Sequence, residues 1–214
     1  IKAELGRWLH EASAAASDAD VKRAMDICVD NANQAIFGAA NSNPTYAGMG
    51  TTLVLGVFRP GRLLMGHIGD SRGYRWRNGV LQQITKDHSL LQEQIDAGML
   101  TPEQAQYAAN KNLVTRALGV EDMVLLETHQ HDVVPGDVYL MCSDGLSDML
   151  RDAQIAEIMA AHPSLSDMGE ALVAAANEAG GRDNIAVVLA RAVGTNDPSV
   201  TKSWWPFKRL SGHA

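Results

Sequence analysis

Two cysteines, three phenylalanines and an aromatic content of 5% are the scarcest features of this 214-residue chain. Cys28 and Cys142 are too few and too unpatterned for a disulfide framework or a zinc site. Free thiols of a reducing compartment are the simpler reading, so a cytoplasmic location is expected. Basic residues are also short, since 18 Lys and Arg against 25 Asp and Glu leave a net charge of −7. That argues against a nucleic-acid partner, whose phosphates need a basic face. No apolar run approaches the roughly 18 residues of a membrane span, and the N-terminus lacks a signal-peptide layout. The chain opens at Ile1 rather than methionine, already inside a helical pattern, and is expected to be a fragment. The remaining composition, 46% hydrophobic and 20% charged, suits one sizeable core and no second domain.

Periodicity supplies the elements. Ile1, Leu5, Trp8, Leu9 and Ala12 recur at helical spacing. Ser17 or Asp18 can cap a second helix with the buried stripe Val21, Met25, Cys28, Ala32 and Ile36, ending near Gly38. From Thr51 the period shortens, and 51–58, 63–68, 74–76 and 80–84 read as strands, with Asn78-Gly79 as a type I′ hairpin signal. A helical insertion follows, capped at Ser89 and restarted at Thr101-Pro102. Strands resume over 124–131 and 138–142, two helices over 152–161 and 167–179, and a last strand over 184–192. Hairpin-linked strands with helices in separate blocks predict an α+β fold with largely antiparallel sheet. The domain is expected to span 1–194, with 195–214 a flexible tail. For its segment Trp204-Trp205-Pro206-Phe207-Lys208-Arg209 two readings stay open: packing against the body, or docking on a partner or membrane surface.

The chemistry concentrates at two acidic corners. Cys142-Ser143-Asp144-Gly145-Leu146 follows the β-forming run Val138–Met141, and Gly180-Gly181-Arg182-Asp183-Asn184 precedes Ile185–Leu189. Carboxylates fixed at strand ends, with glycines letting backbone and water approach, suit hard divalent cations such as Mg²⁺ or Mn²⁺. The plain alternative is an Asp-Gly turn at Asp144 and an Asx turn at Asp183. Each is the better reading of an isolated motif and the poorer one for the pair. Asp70, in Gly69-Asp70-Ser71-Arg72, reads as a turn residue paired with a backbone amide or Arg72. His67 reads as a satisfied core or edge histidine, and His88 as a surface-loop neighbour of a helix cap, with a proton donor reaching substrate as the alternative. Cys142 is expected only to pack.

With Gly48-Met49-Gly50-Thr51-Thr52, Thr85-Lys86-Asp87-His88-Ser89 and 112–119 added, the ordered set resembles the metal-dependent Ser/Thr phosphatases, the PPM or type-2C family. The resemblance covers Gly48 to Ala192 and implies an α-β-β-α sandwich of largely antiparallel sheets flanked by helices. It implies a binuclear Mn²⁺ or Mg²⁺ centre with Asp144 and Asp183 on one ion, and Asp87 helping to hold a third. The insertion at about 89–109 would be the flap beside the cleft, and Arg116 a structural residue. The implied partners are phosphoproteins, substrates of a Ser/Thr kinase. In the family, an N-terminal strand and an Asp-Gly-Met-Gly-Gly-His segment supply the phosphate-binding arginine and the bridging aspartate. No part of this sequence matches them. The expected function is phosphoserine and phosphothreonine hydrolysis; the alternative is a catalytically inactive phosphatase-like binding module. Another two-metal hydrolase on an unrelated fold is the remote third reading.

Overall fold

The computed structural model describes residues 1–12, 16–105 and 113–194. The expected tail and the last part of the insertion lie outside them. Helix α1 (Lys2–Glu11) and the long α2 (Asp18–Ser42) open the chain. Ser17 settles the cap: its hydroxyl accepts from the Asp20 N–H (3.2 Å) while the Asp20 carboxylate accepts from the Ser17 N–H (2.8 Å). Gly38 does not end α2, because one glycine weakens a helix without breaking it. The stop is Asn43, whose extended backbone (φ −134°, ψ 114°) is the conformation favoured before Pro44.

Two antiparallel sheets follow. Strands β1 (Leu53–Arg59), β2 (Arg62–Ile68) and β5 (Glu127–Asp132) form one, in the order β1-β2-β5. Strands β3 (Arg72–Arg77), β4 (Val80–Gln83), β6 (Val138–Cys142) and β7 (Val187–Arg191) form the other, in the order β4-β3-β6-β7. Asn78 (φ 50°) and Gly79 (φ 80°) make the left-handed pair of the expected β3–β4 hairpin. Helices α3 (Leu90–Asp96) and α4 (Pro102–Ala105) belong to the insertion. The short α5 (Asp144–Ser147), then α6 (Asp152–Ala161) and α7 (Leu165–Glu178), complete the elements.

Alternation along each strand sorts the layers. On β2, Leu64 faces α1 and α2 with Val57, packing on Leu5, Val21, Met25 and Cys28. Leu63 and Met65, one step out of phase, face the other sheet and meet Tyr139 and Met141. On β6 the same alternation sends Val138, Leu140 and Cys142 onto Ile155, Met159, Met168 and Leu172 of α6 and α7. Both faces of both sheets are therefore covered, which is why β2 is buried from Leu63 to Ile68. The result is the expected α-β-β-α sandwich.

The register aligns one end of the second sheet. Arg72 pairs with Cys142, and Cys142 with Val187. The corners leaving that end are Gly69-Asp70-Ser71, Cys142-Ser143-Asp144 and Asp183–Ala186. Ile84 donates to the Gly73 carbonyl and His88 to the Gly69 carbonyl, so the Thr85–His88 loop runs along the same edge. Four corners far apart in sequence thus meet at one rim, and each carries an aspartate.

Candidate active site

Ser143 joins the two acidic corners. It stands at the N-cap of α5, yet its hydroxyl does not cap that helix. Instead it donates to the Asn184 carbonyl and accepts from the Ala186 N–H, both at 3.0 Å, while the Ser143 N–H donates to the Ala186 carbonyl (3.0 Å). Gly145 makes this closeness achievable. A Cβ there would stand 2.4 Å from the Asn184 carbonyl oxygen, a backbone atom that no rotamer change can move. Asp144 begins α5, and Asp183 sits across this junction with one oxygen accepting from the Asn184 N–H at 2.6 Å. Among the described residues, none donates a hydrogen bond to the Asp144 carboxylate. A pocket of about 490 Å³ opens beside Asp183, bounded by Asn177, Arg182 and Asn184. Another of about 500 Å³, near Trp76, Met159 and Arg191, lies at the opposite end of the sheet and takes in none of these aspartates.

Asp70 belongs to this cluster, which its motif alone did not reveal. Burial, and then the negative charge of Asp144, push its pKa up to about 6, with Asp87 and Asp148 adding to the crowding. Arg72, one of the two partners expected for Asp70, bonds Asp87 instead. Its Nε lies 3.0 Å from each Asp87 oxygen and its Nη2 2.7 Å from Oδ2. Gln83 also donates to Asp87 (2.8 Å), so that carboxylate is already neutralised and bonded on both oxygens. The Asp70 and Asp144 carboxylates are crowded by like charge, a condition that a divalent cation relieves. As a donor set they fit hard cations, which keep water ligands and do not demand tight protein cages.

A second cluster lies behind the Gly69 turn. Ligand atoms of His67, His88 and Glu127 come within 4.8 Å of one another. His67 is fully buried, with Nε2 2.7 Å from the Lys86 carbonyl; it is the core histidine expected but only half satisfied, since its buried Nδ1 has no hydrogen-bond partner among the described residues. His88 is buried too, contrary to its expected place in a surface loop: it is bonded to Gly69 and Thr115 and its ring stacks on His67. Its Nδ1 accepts from the Gly69 N–H (3.1 Å), so Nε2 carries the proton and donates it to Glu127 (3.0 Å). Burial would raise the Glu127 pKa, but hydrogen bonds from His129 and His88 hold it down to about 2. The His88 ring has no free lone pair, and Arg116 stands 3.1 Å from its Nε2. The cluster is a hydrogen-bonded brace and a poor cation site. Cys142 is equally inert, its thiol pushed up to about 12 by burial.

The protein phosphatase 2C family model matches residues 3–190. The chain is 38% identical over 161 residues to a serine/threonine phosphatase stp of Listeria innocua, covering 75% of this chain and 64% of that protein. It is 40% identical over 174 residues to the serine/threonine protein phosphatase PstP of Mycobacterium tuberculosis, covering 81% of this chain and 34% of that one. The chain thus spans less than two thirds of the length of these relatives. Among solved structures, the M. tuberculosis phosphatase PstP/Ppp superposes with a TM-score of 0.77 at 36% identity, over 90% of this chain and 80% of that one. Stp1 of Staphylococcus aureus gives 0.81 at 26%, over 91% and 78%. A structure of the PstP catalytic domain is a complex with 2 manganese ions, with a TM-score of 0.77 at 36% identity, over 90% and 78%. By the extent of the family match and the agreement of fold, the chain belongs to the protein phosphatase 2C family.

Proposed function

We propose that the protein is a metal-dependent phosphatase of phosphoserine and phosphothreonine in proteins. The observation that carries this reading is the locked junction of the Asp144 and Asp183 corners, with Asp70 crowded beside Asp144. Asp144 and Asp183 would hold Mn²⁺ or Mg²⁺, and Asp87 would help to hold a further, weaker cation. In this structure both Asp87 oxygens are bonded by Arg72 and Gln83, partners that would orient the carboxylate or yield to the ion. When bound, such cations supply Lewis acidity that polarises phosphoryl oxygens and acidifies a water nucleophile. The chain's own residues keep the carboxylates in place. Ser143 fixes the spacing of the two corners, Gly145 lets the backbones touch, and Arg72 holds Asp87 in place by an ion pair. No thiol chemistry competes, because the Cys142 thiol stays protonated at neutral pH.

The relatives named as serine/threonine phosphatases support phosphoproteins as the substrate class, with a Ser/Thr kinase as the opposing activity. A cytoplasmic location belongs to the same proposal; no helix among the described residues is long and apolar enough to cross a membrane. Mn²⁺-dependent release of phosphate from a phosphothreonine peptide, compared between the protein and Asp144→Asn, tests the reading. Turnover that the substitution abolishes is expected. A cooperatively melting wild-type protein without turnover would replace it with the non-catalytic binding module.

A further inference from the structure

The end of the second sheet away from the acidic corners holds a pocket that hydrolysis does not use. Trp76, Val138 and Arg191 lie in one cross-strand row of β3, β6 and β7, and all three line it. Met159 of α6 and Met168 of α7 line it from the helix layer, and the more exposed His162 and Pro163 form its rim. Its volume of about 500 Å³ is enough for a bulky ring. Its two basic side chains are tied to the backbone: Arg191 Nη2 donates to the Pro163 carbonyl, and His162 Nδ1 lies 2.9 Å from the Ile158 carbonyl. No carboxylate lines the space among the described residues. An occupant therefore meets an indole, two thioethers and a guanidinium face, surfaces that favour an aromatic ring.

The chain carries such rings a short way from the pocket. Strand β7 ends at Arg191, and pairing continues at Ala192, whose N–H donates to the Asp137 carbonyl and whose carbonyl accepts from the Gly136 N–H, both at 2.8 Å. Gly136 itself lines the pocket, and a Cβ on Gly194 would stand 3.9 Å from Pro135. The sequence then runs through the mainly polar residues 195–203 to Trp204-Trp205-Pro206-Phe207, which hold two of the four tryptophans of the chain. A linker of roughly ten residues spans about 17 Å on average and at most about 35 Å, so these rings come within reach. Tethering of that length gives an effective concentration on the order of millimolar, an advantage that no free partner has. Lys208 and Arg209, which follow the rings, find no carboxylate in the pocket and belong in water.

We propose that this pocket is the docking site of the chain's own segment 204–207, with a tryptophan ring of that segment packed on Trp76, Met159 and Met168 and stacked on Arg191. Docking there covers the apolar end of the second sheet and leaves the acidic corners at the other end open. The inference is independent of the proposed activity.

Hydrogen exchange read by mass spectrometry on the full chain tests it, in the wild type, in Trp204→Ser with Trp205→Ser, and in Ala160→Arg. Ala160 is an exposed residue of α6 on the pocket lining, so the arginine blocks the space at little cost in stability. Wild-type amides of 203–208 should exchange about tenfold more slowly than those of an unstructured chain. Ala160→Arg should abolish that slowing, and the double tryptophan variant should in turn speed exchange at 160–163. Such reciprocal loss pairs the segment with the pocket. Slowing that survives Ala160→Arg, or free exchange of 203–208 in the wild type, overturns the proposal. Slowing that disappears on dilution overturns it in favour of a second copy's segment. Slowing that appears only with vesicles of phosphatidylcholine and phosphatidylglycerol overturns it in favour of a membrane surface. Should Ala160→Arg fail to melt cooperatively, Arg191→Ser on the edge strand β7 takes its place: partial loss of the slowing supports the docking, and no change overturns it.

Discussion

Asp70→Asn should stabilise the metal-free protein, and only above a definite pH. An aspartate ordinarily near 3.8 is raised to about 6 in the fold by burial and by Asp144. Below the ordinary value both folded and unfolded chains carry the proton, and no difference arises. As pH rises from about 4 to 6 the unfolded chain ionises first, so the folded state loses relative stability through that window and carries the full penalty above it. About two pH units at roughly 1.4 kcal/mol each set an upper bound near 3 kcal/mol. Because Asp70 is only partly buried, solvent screening reduces the expectation to about 1–2 kcal/mol. Asparagine keeps the shape and removes the charge. Urea denaturation in EDTA should therefore show the variant more stable by that amount at pH 8 and level with wild type at pH 4. An equal or lower stability of Asp70→Asn at pH 8 in EDTA would refute the charge-crowding argument.

Gly145→Ala would drive a methyl group into the Asn184 carbonyl, and since neither backbone can yield, the two acidic corners should separate. Mn²⁺ affinity, read by calorimetry, should fall by about tenfold or more, with a lower melting temperature. Asp137 is almost fully buried. Burial alone would raise its pKa, but Arg77, the Val134 amide and the Tyr139 hydroxyl more than offset that and hold it low. Its contribution is present above the ordinary value of 3.8 and is lost as pH falls through the lowered one. Asp137→Asn should thus lower Tm by about 4–8 °C at pH 7, with the deficit shrinking in strong acid in a scanning-calorimetry series. Leu140→Ala, between β6 and the α6–α7 layer, should lower stability by about 3 kcal/mol in urea, with Mn²⁺ binding by the folded fraction unchanged.

The local patterns carried most of the architecture. Two periods, the Ser17 cap, the Asn78-Gly79 turn and the ordered acidic motifs fixed helices, strands, antiparallel pairing and family, because each is written in neighbouring residues. Asp144 and Asp183 were legible as a pair for the same reason. Element ends were less so: α2 passes Gly38 and stops only where Pro44 dictates the backbone, and β7 begins at Val187, where pairing with Cys142 begins. The short helix α5 left no periodic trace in four residues. Asp70 is the turn residue expected, but a one-dimensional motif cannot show that the charge of Asp144, far along the chain, acts on it. The choice of Arg72 between Asp70 and Asp87, and the burial of His88 against Gly69 and Glu127, were decided by the docking of two sheets whose rims bring distant corners together. Sequence set which groups could bear charge and where chains must turn. Tertiary structure alone decided which charges meet, because that depends on strand register and sheet packing, and their energies are shared among residues far apart in the chain.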